Sequence, residues 1–235
     1  MAKLLDKPQV VGTKNVTKIY GKGEVAFTAL NDINISIISG ESVAILGKSG
    51  SGKSTLMHML ALLDSPTKGI VFVGDQDTSK LTNRQIESLR NKSYGFVFQQ
   101  FFLNSNDTVL NNVVLPLKIA KVGRKERREK GMKSLKTVEL VDKANTKAVN
   151  LSGGQKQRVC IARALINNPS IIFADEPTGN LDSHTGKIVE DLLFKLNKEH
   201  DITLIIVTHD KDIAARCQRQ MHILDGKLID GDKNI

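Results

Sequence analysis

The feature of this sequence that most constrains its fold is a glycine-rich loop between an apolar run and a helical pattern. Residues 47–55 read GKSGSGKST and fit the pattern G-x-x-x-x-G-K-[ST]. The apolar run SVAIL before the loop predicts a strand, and the residues after it predict a helix through Leu63, which ends at Asp64-Ser65-Pro66. A strand, a glycine turn and a helix N-terminus in this order form a binding site for phosphate groups.

Each residue type of this loop has its own task in phosphate binding. The glycines allow several backbone N–H groups to face one anion, and the helix dipole adds to the attraction. The ammonium group of Lys53 is expected to reach the β- and γ-phosphates of a nucleotide, and the Ser54 hydroxyl to ligate Mg²⁺. The predicted binding residues are Gly47, Lys48, Ser49, Gly50, Ser51, Gly52, Lys53, Ser54 and Thr55.

Two carboxylates and a histidine follow other apolar runs. Asp175 and Glu176 come after SIIFA, and His209 comes after ITLIIV and a threonine. Such runs predict buried parallel strands, and ligands of parallel sheets bind beyond the carboxyl ends of the strands. An acidic pair after a strand is commonly just a turn. Beside a phosphate loop, however, Asp175 is predicted to hold Mg²⁺, Glu176 to orient or deprotonate the attacking water, and His209 to contact the γ-phosphate.

A second anion site is predicted from LSGGQ at residues 151–155. Apolar residues recur at helical spacing after it, so a helix begins just past the two glycines. The Ser152 hydroxyl and the N–H groups near Gly153 and Gly154 would then face an anion at the helix N-terminus. A single domain has little use for two such sites. A dimer can hold each nucleotide between the loop of one copy and this segment of the other.

Together these motifs resemble the ABC ATPase superfamily, and the resemblance covers nearly the whole chain. It implies an α/β fold of the P-loop NTPase class. This fold has a RecA-like, mostly parallel core sheet, an N-terminal antiparallel β-subdomain and an inserted helical subdomain. The chain is then one ABC ATPase domain over residues 1–235, with the ATP-binding core in residues 1–98 and 169–235. The helical subdomain, with the signature motif, spans residues 99–168 and contacts the permease.

The resemblance assigns further residues to the nucleotide site. Tyr20, in VTKIYG, matches the ring that stacks on adenine, with a core or turn tyrosine as the alternative. Gln99 matches the glutamine that senses Mg²⁺ and water, and it is preferred to Gln100 because it directly follows GFVF. Asp182, in GNLD, matches a segment that reaches across the dimer, and Gln155 closes the signature motif. The implied cofactors are ATP and Mg²⁺, the metal being held by Ser54, Gln99 and Asp175.

Three further segments resemble the MacB/LolD/FtsE branch of this superfamily: PTGNLDS, GFVFQQF and NNVVLPL. These ATPases pair with permeases that have few transmembrane helices and a large extracytoplasmic domain. Lys48 stands where proline is more usual, and Lys156 where glutamine is common, so no specific member is implied. The implied function is an ATP-driven dimerisation that powers a separate permease, for efflux of antimicrobial, peptide or lipophilic substrates. The alternatives are division-type transmembrane signalling and lipoprotein release.

Composition narrows the choice of partners. The net charge of +9 suits nucleic acid, an anionic membrane surface or phosphate-rich small molecules. Aromatic residues make up only 4%, too few for a platform that stacks single-stranded nucleic acid. No sustained heptads predict the long coiled coil of ABC ATPases that act in DNA repair or chromosome structure. The single cassette also differs from the two that soluble translation factors usually hold in one chain. No nucleic-acid partner is therefore expected.

Location follows from the same sequence. No secretory signal is found, and no apolar stretch approaches the roughly 20 residues of a membrane span. Two cysteines without a CxxC spacing indicate a reducing compartment. The resemblance implies a peripheral protein on the cytoplasmic face of the membrane. Its implied partners are a second copy, a separate integral-membrane permease dimer and, in some systems of this kind, a periplasmic or extracellular adaptor.

The remaining segments carry weaker structural signals. The N-terminal third predicts strands and turns, with a hairpin about Gly40 in INISIISGESVAIL. Residues 81–168 predict mostly helix. They include KVGRKERREKGMKSLKTVEL, whose interleaved charges are typical of an exposed helix.

Overall fold

The computed structural model describes residues 7–230, which form two β-sheets and eight α-helices. The antiparallel sheet contains β1 (Gln9–Tyr20), β2 (Phe27–Ile38), β4 (Lys68–Val73) and β5 (Gln76–Asp77), in the order β2-β1-β4-β5. The second sheet contains β3 (Ser42–Leu46), β6 (Tyr94–Phe98), β7 (Ile171–Asp175), β8 (Thr203–Val207), β9 (Arg219–Leu224) and β10 (Lys227–Asp230). Its order is β10-β9-β3-β8-β7-β6, and all neighbours are parallel except β10 and β9.

The helices connect these strands. They are α1 (Lys53–Leu60), α2 (Asn83–Ser93), α3 (Val109–Val113), α4 (Leu115–Ile119), α5 (Arg124–Thr137), α6 (Gly153–Leu165), α7 (Ser183–His200) and α8 (Lys211–Arg216). Short 3₁₀ helices occupy Gly23–Val25, Thr78–Lys80, Val141–Lys143 and Ala148–Asn150. Within residues 7–230, no helix combines the length and the apolar character needed to span a bilayer.

The mostly parallel sheet divides the core into two layers. Val43 and Ile45 of β3 belong to one buried cluster, and Ala44 and Leu46 belong to the other. This alternation follows from the two-residue period of a strand. All five residues of β3 and of β8 are buried, so both strands are covered on both faces, as a central parallel strand requires. The predicted buried parallel strands are confirmed.

The predicted hairpin about Gly40 is wrong. Gly40 does lie in a turn with a φ of 70°. However, β2 pairs with β1 in the antiparallel sheet, whereas β3 pairs in parallel with β8 and β9. The turn therefore joins two sheets instead of two arms of one hairpin. The physical reason is the burial of β3 on both faces, which places it at the centre of a parallel sheet.

The predicted first helix is three residues shorter than expected. It ends at Leu60 because Leu62 takes a left-handed conformation with a φ of 55°. The backbone N–H groups of Leu63 and Asp64 then both donate to the carbonyl of His58, at 2.9 and 3.3 Å, which closes the helix end.

Helices α3 to α6 form a unit of their own beside β6. All four lie within residues 99–168, although the exact boundaries of that subdomain stay a prediction. The apolar side chains of Leu110, Val113, Leu135 and Ile161 are buried in the core that these helices share with the parallel sheet. The predicted charged helix is α5, which is exposed except along one narrow face.

Candidate functional site

The glycine-rich loop lies between β3 and α1, at the carboxyl end of β3. Gly50 and Gly52 have φ values of 77° and 109°, in the left-handed region that favours glycine. A β-carbon on Gly52 would also lie 2.6 Å from the carbonyl oxygen of Ala29, so this position excludes larger residues for steric reasons. The glycines therefore allow the chain to enter α1 through a turn that packs closely against β2.

Lys53 is held inside this loop by backbone carbonyl groups. Its ammonium nitrogen donates to the carbonyl oxygens of Gly47 at 2.9 Å and of Lys48 at 2.8 Å. These contacts position a positive charge at the rim of the loop, beside the exposed residues Ser49 and Ser54. The position suits an anion that binds over the N-terminus of α1.

Ser51 differs from its neighbours in the loop because it is buried. Only 4% of its surface is exposed, and its hydroxyl has no hydrogen-bond partner among the described residues. Its backbone carbonyl accepts from the Gly226 N–H at 2.9 Å. The Ser51 side chain therefore lies beneath the loop, so any part that this residue takes in anion binding falls to its backbone.

Asp175 lies near the loop because of strand register. Ile45 of β3 and Asp175 of β7 both pair with Val207 of the intervening β8, which puts them about 10 Å apart. Burial, and then the negative charge of Glu176, raise the pKa of Asp175, while Lys53 and a histidine oppose the shift. A cation bound beside this half-buried carboxylate would stabilise its charged form.

Glu176 has an unusual backbone conformation that its neighbours hold in place. Its φ is 44°, a left-handed value that is strained for glutamate. Its backbone N–H donates to the Val207 carbonyl at 2.9 Å. The carboxylate accepts from the Thr208 hydroxyl at 3.2 Å and from the His209 N–H at 3.1 Å. These contacts fix the direction of the carboxylate at the edge where the strands end.

The imidazole of His209 contacts the same carboxylate. The distance from Nδ1 of His209 to Oε1 of Glu176 is 2.7 Å. The hydrogen bond and the charge of Glu176 together raise the pKa of His209, although its ring is mostly exposed to solvent. The structure thus brings Lys53, Asp175, Glu176 and His209 to one edge of the parallel sheet.

We expect His209 to titrate above the ordinary histidine pKa of about 6.5, and Glu176→Gln to bring its pKa back toward that value. Because the pKa of His209 is raised, its protonated ring contributes stability that is fully present below the histidine pKa of the unfolded chain and is lost as pH rises through the pKa of the folded protein. Titration of the histidine ring protons by NMR measures this shift. An unchanged His209 pKa in the variant would show that the contact is not maintained in solution.

Gln99 follows β6, which is the neighbour of β7 in the sheet. Its side-chain amide donates to Oδ1 of Asn180 at 3.3 Å, and the amide of Asn180 donates to the Gln99 carbonyl at 2.9 Å. Gly179 lies against the same side chain, and a β-carbon there would be 2.8 Å from Nε2 of Gln99. The segments after β6 and β7 are therefore linked to each other by direct contacts.

Sequence reasoning missed Gln157, which connects three of the predicted motifs. This residue is fully buried in α6, and its amide nitrogen donates to the carbonyls of Phe98 at 3.2 Å and of Pro177 at 2.6 Å. Phe98 precedes Gln99, and Pro177 follows Glu176. The helix that starts at the signature motif is thus bonded to both neighbouring segments. The signal in the sequence was a glutamine at a position that the helical period assigns to the buried face of α6.

The signature segment forms the N-terminus of α6. The Ser152 hydroxyl accepts from the Gln155 N–H at 3.3 Å, and the Gln155 side chain accepts from the Ser152 N–H at 3.0 Å, which makes a capping box. A β-carbon on Gly154 would clash with the Thr185 side chain, so glycine lets α6 approach the start of α7. In the single chain, the polar side chains of this motif therefore stabilise the helix end.

Asp182 has a similar local role. It is the N-cap of α7, where its carboxylate accepts from the Thr185 N–H at 3.0 Å. Hydrogen bonds to Thr185 lower the pKa of Asp182, so the cap remains charged. The residue is exposed, and a contact with another chain stays a prediction.

Tyr20 lies on the surface at the end of β1. The residue is 40% exposed, and its hydroxyl donates to Asp64 at 2.9 Å. The ammonium group of Lys18 lies 4.9 Å from the ring centroid and 2.7 Å from the same carboxylate. The ring is therefore held in place without being buried in the core, and the stacking role stays a prediction.

The loop and the signature segment lie apart in the single chain. Helix α6 packs against β6, and three steps in the order β3-β8-β7-β6 separate that strand from β3, a distance of about 14 Å. The neighbours of Gly153 and Gly154 are residues 180–185, whereas those of Gly52 are Ala29, Leu30 and Gly226. One chain therefore does not bring its two predicted anion sites to the same place.

Comparisons with known proteins agree with these observations. The family model of the ABC transporter matches residues 30–179. The chain is 48% identical to the ABC transporter ATP-binding protein MJ1508 of Methanocaldococcus jannaschii, over 94% of this chain and 98% of that protein. It is 41% identical to the lipoprotein-releasing system ATP-binding protein LolD of Geobacter metallireducens, over 92% of this chain and 96% of that protein.

Two further similarities concern a longer relative and a solved structure. The chain is 45% identical to the macrolide export ATP-binding/permease protein MacB of Aggregatibacter actinomycetemcomitans, over 94% of this chain but only 34% of that protein. The dimeric, post-hydrolysis structure of the ATP-binding cassette MJ0796 bound to ADP and Pi has a TM-score of 0.85 at 45% identity. That match covers 94% of this chain and 97% of the other.

Proposed function

The chain belongs to the ABC transporter family as an ATP-hydrolysing subunit, and from this premise we propose that two copies enclose two ATP molecules and drive a separate membrane permease. The observation that carries this proposal is the distance between the loop and the signature segment within one chain. A second copy, placed head to tail, supplies the signature segment that the first copy keeps away from its own loop. The dimeric cassette MJ0796, with 45% identity, supports the same arrangement.

In this proposal the loop of one copy holds the phosphates and the N-terminus of α6 of the other copy closes over them. Lys53 binds the β- and γ-phosphates with the N–H groups of residues 47–55. Ser152 and Gly153 face the γ-phosphate from the opposite side, and Asp182 contacts the other copy. Tyr20 stacks on the adenine. Both anion sites use helix N-termini, whose partial positive charge favours phosphate.

Three side chains, one in the loop and two at the ends of β6 and β7, offer oxygen atoms of the kinds that a magnesium ion binds. Ser54 offers a hydroxyl, Gln99 an amide oxygen and Asp175 a carboxylate. The pKa of Asp175 is raised in the protein, and a bound cation would lower it again. Among residues 7–230 no cluster of three or more metal-binding side chains is found, which suits Mg²⁺ because this ion takes most of its ligands from phosphate and water. When bound, Mg²⁺ neutralises charge that develops on the phosphates.

Hydrolysis in this proposal depends on the pair at the edge of the sheet. Glu176 orients the attacking water or accepts its proton, and its strained but fixed backbone keeps the carboxylate in place. His209 contacts the γ-phosphate through Nε2, because Nδ1 is engaged by Glu176. Gln157 connects α6 to this edge through the carbonyls of Phe98 and Pro177, so loss of the γ-phosphate can change the position of the helices.

A groove next to Gln99 is the proposed docking site of the permease. It has a volume of about 470 Å³ and lies between β6 and α4. Phe102, Leu115 and Ile119 line it and expose 64%, 45% and 67% of their surfaces. Large apolar side chains at the edge of a groove are typical of a site that receives a helical segment of a partner. Closure of the dimer would then move the permease through this contact.

Cross-linking tests the head-to-tail dimer directly. We expect a disulfide between cysteines introduced by Ser49→Cys and Gly153→Cys to form between chains in the presence of ATP. Ser49 is suitable because it is exposed, whereas Ser51 is buried. The native Cys160 and Cys217 are buried and should not react. Non-reducing gels distinguish the products, and Ser49→Cys alone is the control. A bond that forms only within one chain would contradict the arrangement.

Affinity purification tests the permease contact. We expect the tagged chain to capture an integral membrane protein from native membranes, and Ile119→Asp to weaken this capture at least tenfold. The matched control is Ile229→Asp, because Ile229 is also exposed, at 58%, but lies on β10. Quantitative mass spectrometry measures the yield. Equal capture by both variants would show that the groove is not the docking site.

The transported substrate is proposed from the relatives alone. Similarity to MacB favours the efflux of antimicrobial, peptide or lipophilic compounds, and similarity to LolD favours lipoprotein release as the alternative. Division-type signalling, without any transport, is a further alternative. We place the protein on the cytoplasmic face of the membrane, attached through the permease, with an extracytoplasmic adaptor in the export case. The identity of the membrane protein that co-purifies distinguishes efflux, lipoprotein release and signalling.

A further inference from the structure

The positive charge of the chain is concentrated in one segment. Residues 118–136 contain nine lysines and arginines and two glutamates, a net charge of +7 in a chain whose total is +9. This segment consists of the end of α4, a short connection and α5. A surplus confined to one segment produces a local positive field, which a general solubility role does not require.

Helix α5 presents these charges to solvent. It is attached to the protein along one narrow face, by Gly131, Ser134 and Leu135. A β-carbon on Gly131 would lie 2.6 Å from side-chain carbons of Leu110 and Val114, so glycine lets the helix pack closely there. The rest of the helix is mostly exposed, over a length of about 21 Å. We define the basic patch as Lys121, Arg124, Lys125, Arg128, Lys133 and Lys136.

The charges of the basic patch are not neutralised by neighbouring carboxylates. Within α5 the ion pair is that of Lys130 with Glu126, at 2.7 Å. In the part of the chain that the structure describes, no carboxylate lies within ion-pairing distance of Arg124, Lys125, Arg128 or Lys133. Their long side chains are free to bind an extended anionic surface.

We propose that the basic patch binds the headgroups of anionic phospholipids in the membrane that carries the permease. This inference rests on the proposed function, which brings the helical unit close to a membrane. The patch continues directly from the proposed docking groove, because α4 lines the groove and only four residues, 120–123, connect α4 to α5. A permease segment in the groove would therefore hold α5 near the bilayer surface.

The form of the patch favours lipid over other anions. Its charges are spread along α5 and the connection before it, on exposed side chains, which suits a surface of many mobile headgroups rather than one shaped ligand. Ile119 is 67% exposed and lies between Lys118 and Lys121 in the sequence. It adds an apolar side chain to the edge of the patch. No aromatic ring occurs in residues 118–136, so bases of single-stranded nucleic acid have nothing to stack on.

Vesicle sedimentation tests the inference with the full chain. We expect binding to phosphatidylcholine vesicles that contain phosphatidylglycerol, none to phosphatidylcholine alone, and a decrease with rising salt. Combined replacement of Arg124, Lys125, Arg128 and Lys133 by glutamine should reduce vesicle affinity by about fivefold per charge, and so by more than a hundredfold in total. The matched control replaces four other lysines by glutamine: Lys14, Lys68, Lys195 and Lys198, which are also exposed and lie on other helices and strands. The control should retain most of the binding.

A local probe tests which surface faces the lipid. Glu129→Cys places a thiol on the exposed side of α5, and the native cysteines are buried, so a polarity-sensitive dye will label this site selectively. We expect a shift in its emission on addition of anionic vesicles. The same dye attached through Glu199→Cys, at the end of α7, should not respond.

Three outcomes would overturn the inference. The chain fails to bind anionic vesicles at low salt; the two charge variants lose binding equally; or duplex DNA or polyglutamate binds the patch as tightly as vesicles do. Thermal unfolding establishes that each variant is folded. The test needs neither ATP nor permease, so it can fail while the cross-link between chains forms, or succeed while that cross-link does not.

Discussion

Lys53→Ala is expected to weaken ATP binding by about tenfold to a hundredfold, because it removes charge-assisted hydrogen bonds to the phosphates. The ammonium group of Lys53 lies at the loop rim and donates to the carbonyls of Gly47 and Lys48, so the loop already orients it. Little reorganisation is then needed when phosphate binds. Isothermal titration calorimetry with ATP measures the loss of affinity.

The matched control is Lys48→Ala. Lys48 belongs to the same loop and carries the same charge, but its side chain is exposed, and the backbone N–H that we propose for phosphate binding is kept. Its effect should be severalfold at most. Equal affinity of the Lys53→Ala variant and the unmodified protein would contradict the assignment of the loop as the phosphate site.

Glu176→Gln is expected to reduce ATP hydrolysis by about a hundredfold to ten-thousandfold and to accumulate an ATP-bound dimer. Glutamine has nearly the same shape, and its amide oxygen can still accept the hydrogen bond from the His209 N–H, while its NH2 group faces the Thr208 hydroxyl oxygen. It cannot accept a proton from water. In the proposed function the dimer forms on ATP binding, and in this variant hydrolysis would no longer release it. Phosphate release and gel filtration with ATP measure the two effects.

Glu199→Gln serves as the control for this experiment, because Glu199 is an exposed carboxylate near the end of α7, just before the start of β8 and so at the edge of the sheet opposite to the carboxyl ends of the strands. It should hydrolyse ATP at the normal rate and elute as the unmodified protein does. A Glu176→Gln variant that remains monomeric with ATP and hydrolyses it normally would remove the proposed role of Glu176.

Local motifs were predictable because the residues that define them are adjacent in sequence. The strand, loop and helix around Lys53, the apolar strands before Asp175 and the helix after the signature motif are all present. The hairpin about Gly40 was not predictable, because the choice of partner for β3 depends on strands more than 150 residues away. The burial of Ser51 likewise depends on packing against the distant Gly226, to which its carbonyl is bonded.

The sequence by itself determined the fold class, the membership of the ABC transporter family and the residue types of the proposed ATP site. These features reside in short segments whose spacing is visible along the chain. Only the tertiary structure decided that Glu176 and His209 contact each other, that Gln157 bonds to the segments beside Gln99 and Glu176, and that the signature motif lies apart from the loop. Such contacts join residues distant in sequence, and they depend on strand order and side-chain packing, which no local pattern specifies.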